Sequence, residues 1–106
     1  MATGVLGTAD LSAATNTTLY TVPVDTFSVV TVNICNRSTT TRDIRLAVAA
    51  ADTPTNAEYI EYDTEILSNG VLERGGIVLD AGKKIVAYSN STETSVVVFG
   101  IETTIA

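Results

Sequence analysis

The sequence predicts an all-β protein, an antiparallel two-sheet β-sandwich of about seven to eight strands with an extended N-terminal arm. Three observations carry that expectation. The apolar content, 45% of the chain, comes mainly from Val, Ile, Leu and Ala, and Thr is abundant throughout. Val, Ile and Thr are β-branched and suit a pleated, half-buried surface better than a helix. Apolar and polar residues alternate with period two in several short runs, whereas no helical i, i+3, i+4, i+7 pattern lasts beyond a turn. Turn residues punctuate these runs roughly every dozen residues, the rhythm of a sandwich rather than of βαβ units. An open single sheet would leave its second face bare, so two layers are expected.

The elements follow in order. Residues 1–15 are rich in Ala, Thr and Gly, with thin apolar punctuation at Val5, Leu6 and Leu11. They read as an arm or a weak edge strand, set apart from a sandwich domain over residues 16–106. Thr17 to Val22 forms a short strand closed by Pro23, which cannot donate to a ladder. Thr26 to Asn36 is the longest strand, with Val30, Val32 and Ile34 on one face and Phe27 and Val29 on the other. Arg37 to Thr41 is a polar turn. Ile44, Leu46 and Val48 then alternate with Asp43, Arg45 and Ala47, one face toward the core. Ala51 to Ala57, which contains Asp52-Thr53-Pro54, is a loop. Glu58 to Ile66 alternates again, with Ile60, Tyr62 and Ile66 expected inward and Tyr59, Glu61, Asp63 and Glu65 outward. Asn69-Gly70 signals a type I′ hairpin turn, whose central residues both need φ > 0. Val71 to Leu79 is interrupted by Gly75-Gly76, a bulge or kink. Asp80-Ala81-Gly82 is a tight turn, and Lys83 to Ser89, a polar turn at Asn90 to Glu93 and Thr94 to Thr104 complete the set.

Two strands break the alternation. Ile85 to Tyr88 and Val96 to Phe99 are apolar on both faces, and a strand of that kind needs cover on each side. The cover would come from the N-terminal arm or from another subunit. A homo-oligomer, dimer or trimer, is therefore expected, with Val5, Leu6, Leu11, Phe27, Val29, Val97 and Phe99 as contact candidates. The competing account is ordinary central strands that leave a few valines exposed.

Composition excludes several function classes. Charged residues are only 17% of the chain, below the quarter or so usual in soluble domains, and the apolar content argues against disorder. The net charge is −6, with six scattered Lys and Arg, which argues against nucleic acid and against an anionic membrane surface. No apolar stretch approaches the ~18 residues of a membrane span. Met1 to Asp10 lacks the basic and apolar regions of a secretory signal.

The chain has no His and one Cys, so ordinary zinc sites cannot be built and Cys35 reads as a packed, apolar thiol without an internal disulfide partner. Without His, hydrolase triads lack their usual base. Lys83 and Lys84 after a Gly turn read as solvated charges, and the Gly-containing loops match no phosphate-binding spacing. Glu61, Asp63 and Glu65 share a predicted face and would hold a hard cation only if they converged; a solvated acidic face that resists edge pairing is the plainer account. Asn16-Thr17-Thr18, Asn36-Arg37-Ser38 and Asn90-Ser91-Thr92 match the glycosylation triplet, as a Thr-rich chain does by chance. No enzyme, cofactor or metal is expected.

Leu19-Tyr20-Thr21-Val22-Pro23 followed by Val30-Thr31-Val32-Asn33-Ile34-Cys35-Asn36-Arg37 resembles a family of small virion proteins of tailed bacteriophages. Asp52-Thr53-Pro54 through Glu58-Tyr59-Ile60-Glu61-Tyr62-Asp63, Gly70-Val71-Leu72-Glu73-Arg74, and Leu79-Asp80-Ala81-Gly82 leading into Lys84-Ile85-Val86-Ala87-Tyr88 continue the likeness, which covers about residues 15 to 100. The resemblance implies a virion structural protein, first a capsid decoration (cement) protein that binds the phage head in many copies and stabilises it. Its partner would be the major capsid protein or another virion protein, and its location the virion, assembled in the host cytoplasm. A tail, fibre or baseplate accessory protein is the second implied role. Apart from the resemblance, a carbohydrate- or host-surface-binding sandwich is the alternative from a different class, with Tyr20, Tyr59, Tyr62 and Tyr88 as its available rings. Cys35 stands where that family is expected to carry a plain aliphatic residue.

Overall fold

The computed structural model describes residues 3–105; Met1 and Ala2 of the expected arm and Ala106 of the expected domain lie outside the described residues. Eight strands run β1 (Thr3–Asp10), β2 (Thr17–Thr21), β3 (Thr26–Asn36), β4 (Arg42–Ala49), β5 (Tyr59–Ile66), β6 (Val71–Leu79), β7 (Lys84–Ser89) and β8 (Thr94–Thr104), with one 3-10 turn at Asn56–Glu58. They form two antiparallel sheets of four: sheet I in the order β1-β8-β3-β6 and sheet II in the order β2-β7-β4-β5. Every connection except β4 to β5 passes from one sheet to the other. The all-β sandwich expected from the sequence is the observed architecture.

The core lies where the period-two pattern puts it. Val30, Val32 and Ile34 of β3 and Val96 and Val98 of β8 face Ile44 and Leu46 of β4 and Ile85 and Ala87 of β7, all fully buried. Each large side chain there contributes on the order of 1.5–3 kcal/mol relative to exposure. Gly75 and Gly76 both stand opposite Thr31, because the β3–β6 register shifts between Val30 and Val32, and Gly76 takes φ +69. That is the bulge expected of the Gly pair.

Thr3–Asp10, the bulk of the segment set apart as an arm or weak edge strand, is β1, the edge strand of sheet I paired with β8 of its own chain. A Cβ on Gly7 would sit 2.1 Å from the Leu19 carbonyl oxygen, so only glycine lets β1 lie this close to β2. Leu11 follows β1, hydrogen-bonds through its N–H to Thr94 O (2.9 Å) and buries its side chain in the core, against which Leu6 also packs.

Three local expectations are corrected. Asn69-Gly70 does not close a hairpin, since β5 and β6 belong to different sheets; only Asn69 has φ > 0 (+58), and Gly70 N–H closes a four-residue turn on Leu67 O at 2.8 Å. Val48 is half-buried, while Ala47 is fully buried on the opposite face. In β5, Tyr62 points outward rather than inward, because the β4–β5 register shifts between Ile44 and Leu46 and sets Tyr62 and Asp63 together opposite Arg45. Asp63 takes φ +50 to make that bulge.

Two buried polar nodes hold the ends of the sandwich. At one end the Tyr20 hydroxyl donates to Glu102 Oε2 (2.5 Å) and lies 2.6 Å from Ser28 Oγ. Burial, reinforced by the Glu102 carboxylate, pushes the Tyr20 phenol up to about 12. At the other end Asn36 Nδ2 donates to Thr40 O (2.8 Å), Ile66 O (2.9 Å) and Leu67 O (3.2 Å), and its Oδ1 accepts from Ser38 N (3.0 Å) and Ser38 Oγ (2.7 Å). Asn36 is thus a buried brace for two loops, which leaves its glycosylation triplet inaccessible.

Candidate functional site

The outer face of sheet I is built by the odd-numbered side chains of β3 and β8. Cross-strand pairing places Thr3, Ile101, Val29 and Val78 in one row across all four strands, and Val5, Phe99 and Thr31 in the next. Val97 and Asn33 follow beyond them, with Thr8 and Glu73 at the edges, and Phe27 lies opposite Thr103 toward the far end. Val5 is 68% exposed, Val78 68%, Ile101 49% and Phe99 37%, and Phe27, Val29 and Val97 are half-buried. The result is a continuous apolar face that no part of the described chain covers.

Of the contact candidates, Val5, Phe27, Val29, Val97 and Phe99 come together on this face, whereas Leu6 and Leu11 turn into the protein's own core. Ile101 and Val78 were missed. Their signal was present: Ile101 continues the alternation two residues past Phe99, and Val78 precedes the buried Leu79.

The outer face of sheet II is different. Its apolar residues Ala47, Ala49 and Val86 are buried, with Tyr59 packed on them. Residues 50–58 leave β4 and fold back toward β2, where Thr18 Oγ1 donates to Asp52 Oδ1 at 2.6 Å and Lys84 Nζ lies 3.8 Å from the same carboxylate. Glu58 clamps that loop by accepting the N–H groups of Thr55 (2.8 Å) and Ala50 (3.0 Å), and these bonds hold its carboxyl below the usual range. The apolar second face of Ile85 to Tyr88 is therefore sealed from within. That removes one of the two reasons for expecting a second subunit.

The rest of this face is occupied by Arg45. Its guanidinium lies 4.2 Å from the Tyr62 ring centroid and 4.6 Å from that of Tyr88, and Arg45 Nε donates to Asp63 Oδ1 at 2.7 Å. The Asp63 hydrogen bond raises the guanidinium pKa further above its ordinary value. Tyr59 meets Tyr62 edge to face at 4.9 Å. The bulge at Asp63 is what delivers both ring and carboxylate to one cation.

The same bulge scatters the acidic row. Asp63 goes to Arg45, Glu61 reaches across the sandwich edge to Arg74 of β6 (2.7 Å), and Glu65 stays exposed. Among the described residues no group of three His, Cys, Asp or Glu is placed to hold a metal ion. Lys83 pairs with Asp80 at 3.2 Å and holds its carboxyl below the usual range. Cys35 is half-buried on sheet I opposite Val71. A shallow groove of about 250 Å³ opens beside the β5–β6 turn, lined by Glu65, Ile66, Leu67, Gly70, Val71 and Leu72, without convergent polar groups.

Residues 7–92 match the family model described as Trs120/TRAPPC9, fourth Ig-like domain. No match was found among the curated proteins or the solved structures. The family match overturns the resemblance to tailed-phage virion proteins. The residues that carried that likeness are strand and turn framework, with Leu19, Tyr20, Val22, Val30, Val32 and Ile34 all buried, and framework of this kind is common to many sandwiches. The match overturns the expected capsid decoration, the tail, fibre or baseplate role, the carbohydrate- or host-surface-binding alternative, the major capsid protein or another virion protein as partner, and the virion location. The dimer or trimer, expected from the apolar strands, loses the support of the sealed sheet II face.

Proposed function

The chain belongs to the family of the fourth Ig-like domain of Trs120/TRAPPC9, and on that premise we propose that it is a non-catalytic docking module of a vesicle-trafficking assembly. In this reading it works in the cytoplasm or at the Golgi as part of a TRAPP-complex subunit. It presents the outer face of sheet I to a neighbouring part of that assembly. The observation that carries the reading is the asymmetry of the two outer faces, one sealed by the chain's own loop and the other apolar and open. A contiguous exposed apolar face marks an interaction surface more often than an accident of composition. The absence of His from the sequence and the pairing of Lys83 with Asp80 and Lys84 with Asp52 support the non-catalytic part.

The test is a paired substitution, Phe99→Ser with Ile101→Ser, in the full chain. It is expected to leave the fold intact by circular dichroism and to abolish co-purification with a TRAPP complex that lacks this domain. Undiminished co-purification would remove the reading.

A further inference from the structure

We infer that the open face of sheet I receives a protein surface that is aliphatic at its centre and carries lysine or arginine at its rim. This rests on the docking reading above and adds the partner's chemistry. The first observation is that the chain has no cation to spare. It holds six Lys and Arg against twelve Asp and Glu, and every one of the six lies against a carboxylate. Arg37 meets Asp10 at 2.6 Å, Arg45 meets Asp63 at 2.7 Å, Arg74 meets Glu61 at 2.7 Å, and Lys83 meets Asp80 at 3.2 Å. Arg42 meets Glu93 and Lys84 meets Asp52, both at 3.8 Å.

The second observation is where the surplus acid falls. Glu73 stands at the edge of the Thr8–Val97–Asn33–Glu73 row, where it accepts from Asn33 Nδ2 at 3.4 Å and has no ion-pair partner among the described residues. Asp25 is exposed in the turn two residues before Phe27. Asn33 lies eight positions after Asp25, roughly 26 Å of extended chain. The apolar face is therefore bordered by carboxylates at the Asp25 turn and at the Glu73 edge, and Arg37, a cation near its margin, is held by Asp10. Opposite charge at the rim steers and orients a partner, whereas like charge repels it. A second copy of this chain would bring the same acidic rim, and so would an acidic or phosphate-bearing surface. Phe99 and Ile101 lie beyond residues 7–92, so family membership does not assign this chemistry.

The experiment titrates the immobilised full chain with purified Trs120/TRAPPC9 assembly lacking its own fourth Ig-like domain, over roughly 50 to 500 mM salt. The rim variant combines Glu73→Lys with Asp25→Asn, since Asn tolerates the left-handed φ of +55 at that position. It is expected to weaken binding about tenfold at low salt, with the gap closing as screening increases. The centre variant, Phe99→Ser with Ile101→Ser, is expected to lose binding at every salt concentration. A rim variant that binds as tightly as the parent, while the centre variant still fails, overturns the basic-rim inference and leaves the docking reading standing. A centre variant that binds normally overturns both, as does a parent chain that does not bind. Self-association of the parent that the centre variant abolishes makes a second copy the occupant and overturns the inference.

Discussion

Sheets I and II both carry apolar side chains on their outer faces, yet one face is closed and the other open. Sheet I carries the larger ones, and a connection closes the smaller set on sheet II. The β4–β5 link, the one that stays within a sheet, reaches Thr18 with Asp52 and ends at Tyr59, which packs on Ala47, Ala49 and Val86. Sheet I has no such connection: its strands are joined only through turns that cross to the other layer. Apolarity on both sides of a strand therefore signals a need for cover, but not who supplies it.

Charge placed on each face breaks or upholds the comparison most directly. Val86→Asp puts a carboxylate into the buried cluster packed by Tyr59, where the 50–58 loop ends, and is expected to cost about 3–5 kcal/mol, the range for an unpaired buried charge. Denaturant unfolding would show it, and a loss below ~1 kcal/mol would mean that the loop does not seal sheet II. Leu11→Ala comes next, at about 3 kcal/mol within the 2–5 typical of a buried Leu, since Leu11 belongs to the core and not to a contact arm.

Tyr20 sharpens the picture of the interior. Its folded pKa of about 12 lies above the ordinary value of 10, so its neutral form contributes stability that is fully present below pH 10. That contribution declines as pH rises from 10 toward 12, by roughly 1.4 kcal/mol per unit. Tyr20→Phe is expected to lower stability at pH 7 by about 1–3 kcal/mol through loss of the bond to Glu102, and to flatten the alkaline decline. An unchanged pH profile would sink this assignment. The smallest effect is expected at Val78→Lys on the open face, within about 0.5 kcal/mol. A large loss there would mean that the face is already covered.

The fold was legible because its signals were local and redundant. Val30, Val32 and Ile34 mark the buried face of β3, Gly75-Gly76 announces a bulge by composition, and Asp80-Ala81-Gly82 supplies a turn with Gly82 at φ +83. The open face was legible in part, since Phe27, Val29, Val97 and Phe99 stood out as apolar residues on the wrong side of their strands. The inversion of Tyr62 was not, because its cause is an Asp at φ +50, stabilised by an arginine eighteen residues away in the sequence. The role of residues 1–15 was half hidden for the opposite reason. Gly7 reads as slack in a sequence but is a demand for close approach in the structure. The family resemblance misled because buried framework specifies a sandwich and says little about whose sandwich it is.

The brace at Asn36 has a dynamic consequence. The Asn36 carboxamide, with the Ser38 carbonyl that accepts from Ser68 Oγ (3.1 Å) and Asn69 N–H (3.3 Å), joins the 37–41 loop to the 66–70 turn. Amide protons across that pole should therefore exchange with solvent as one cooperative block rather than at the separate rates of two independent loops.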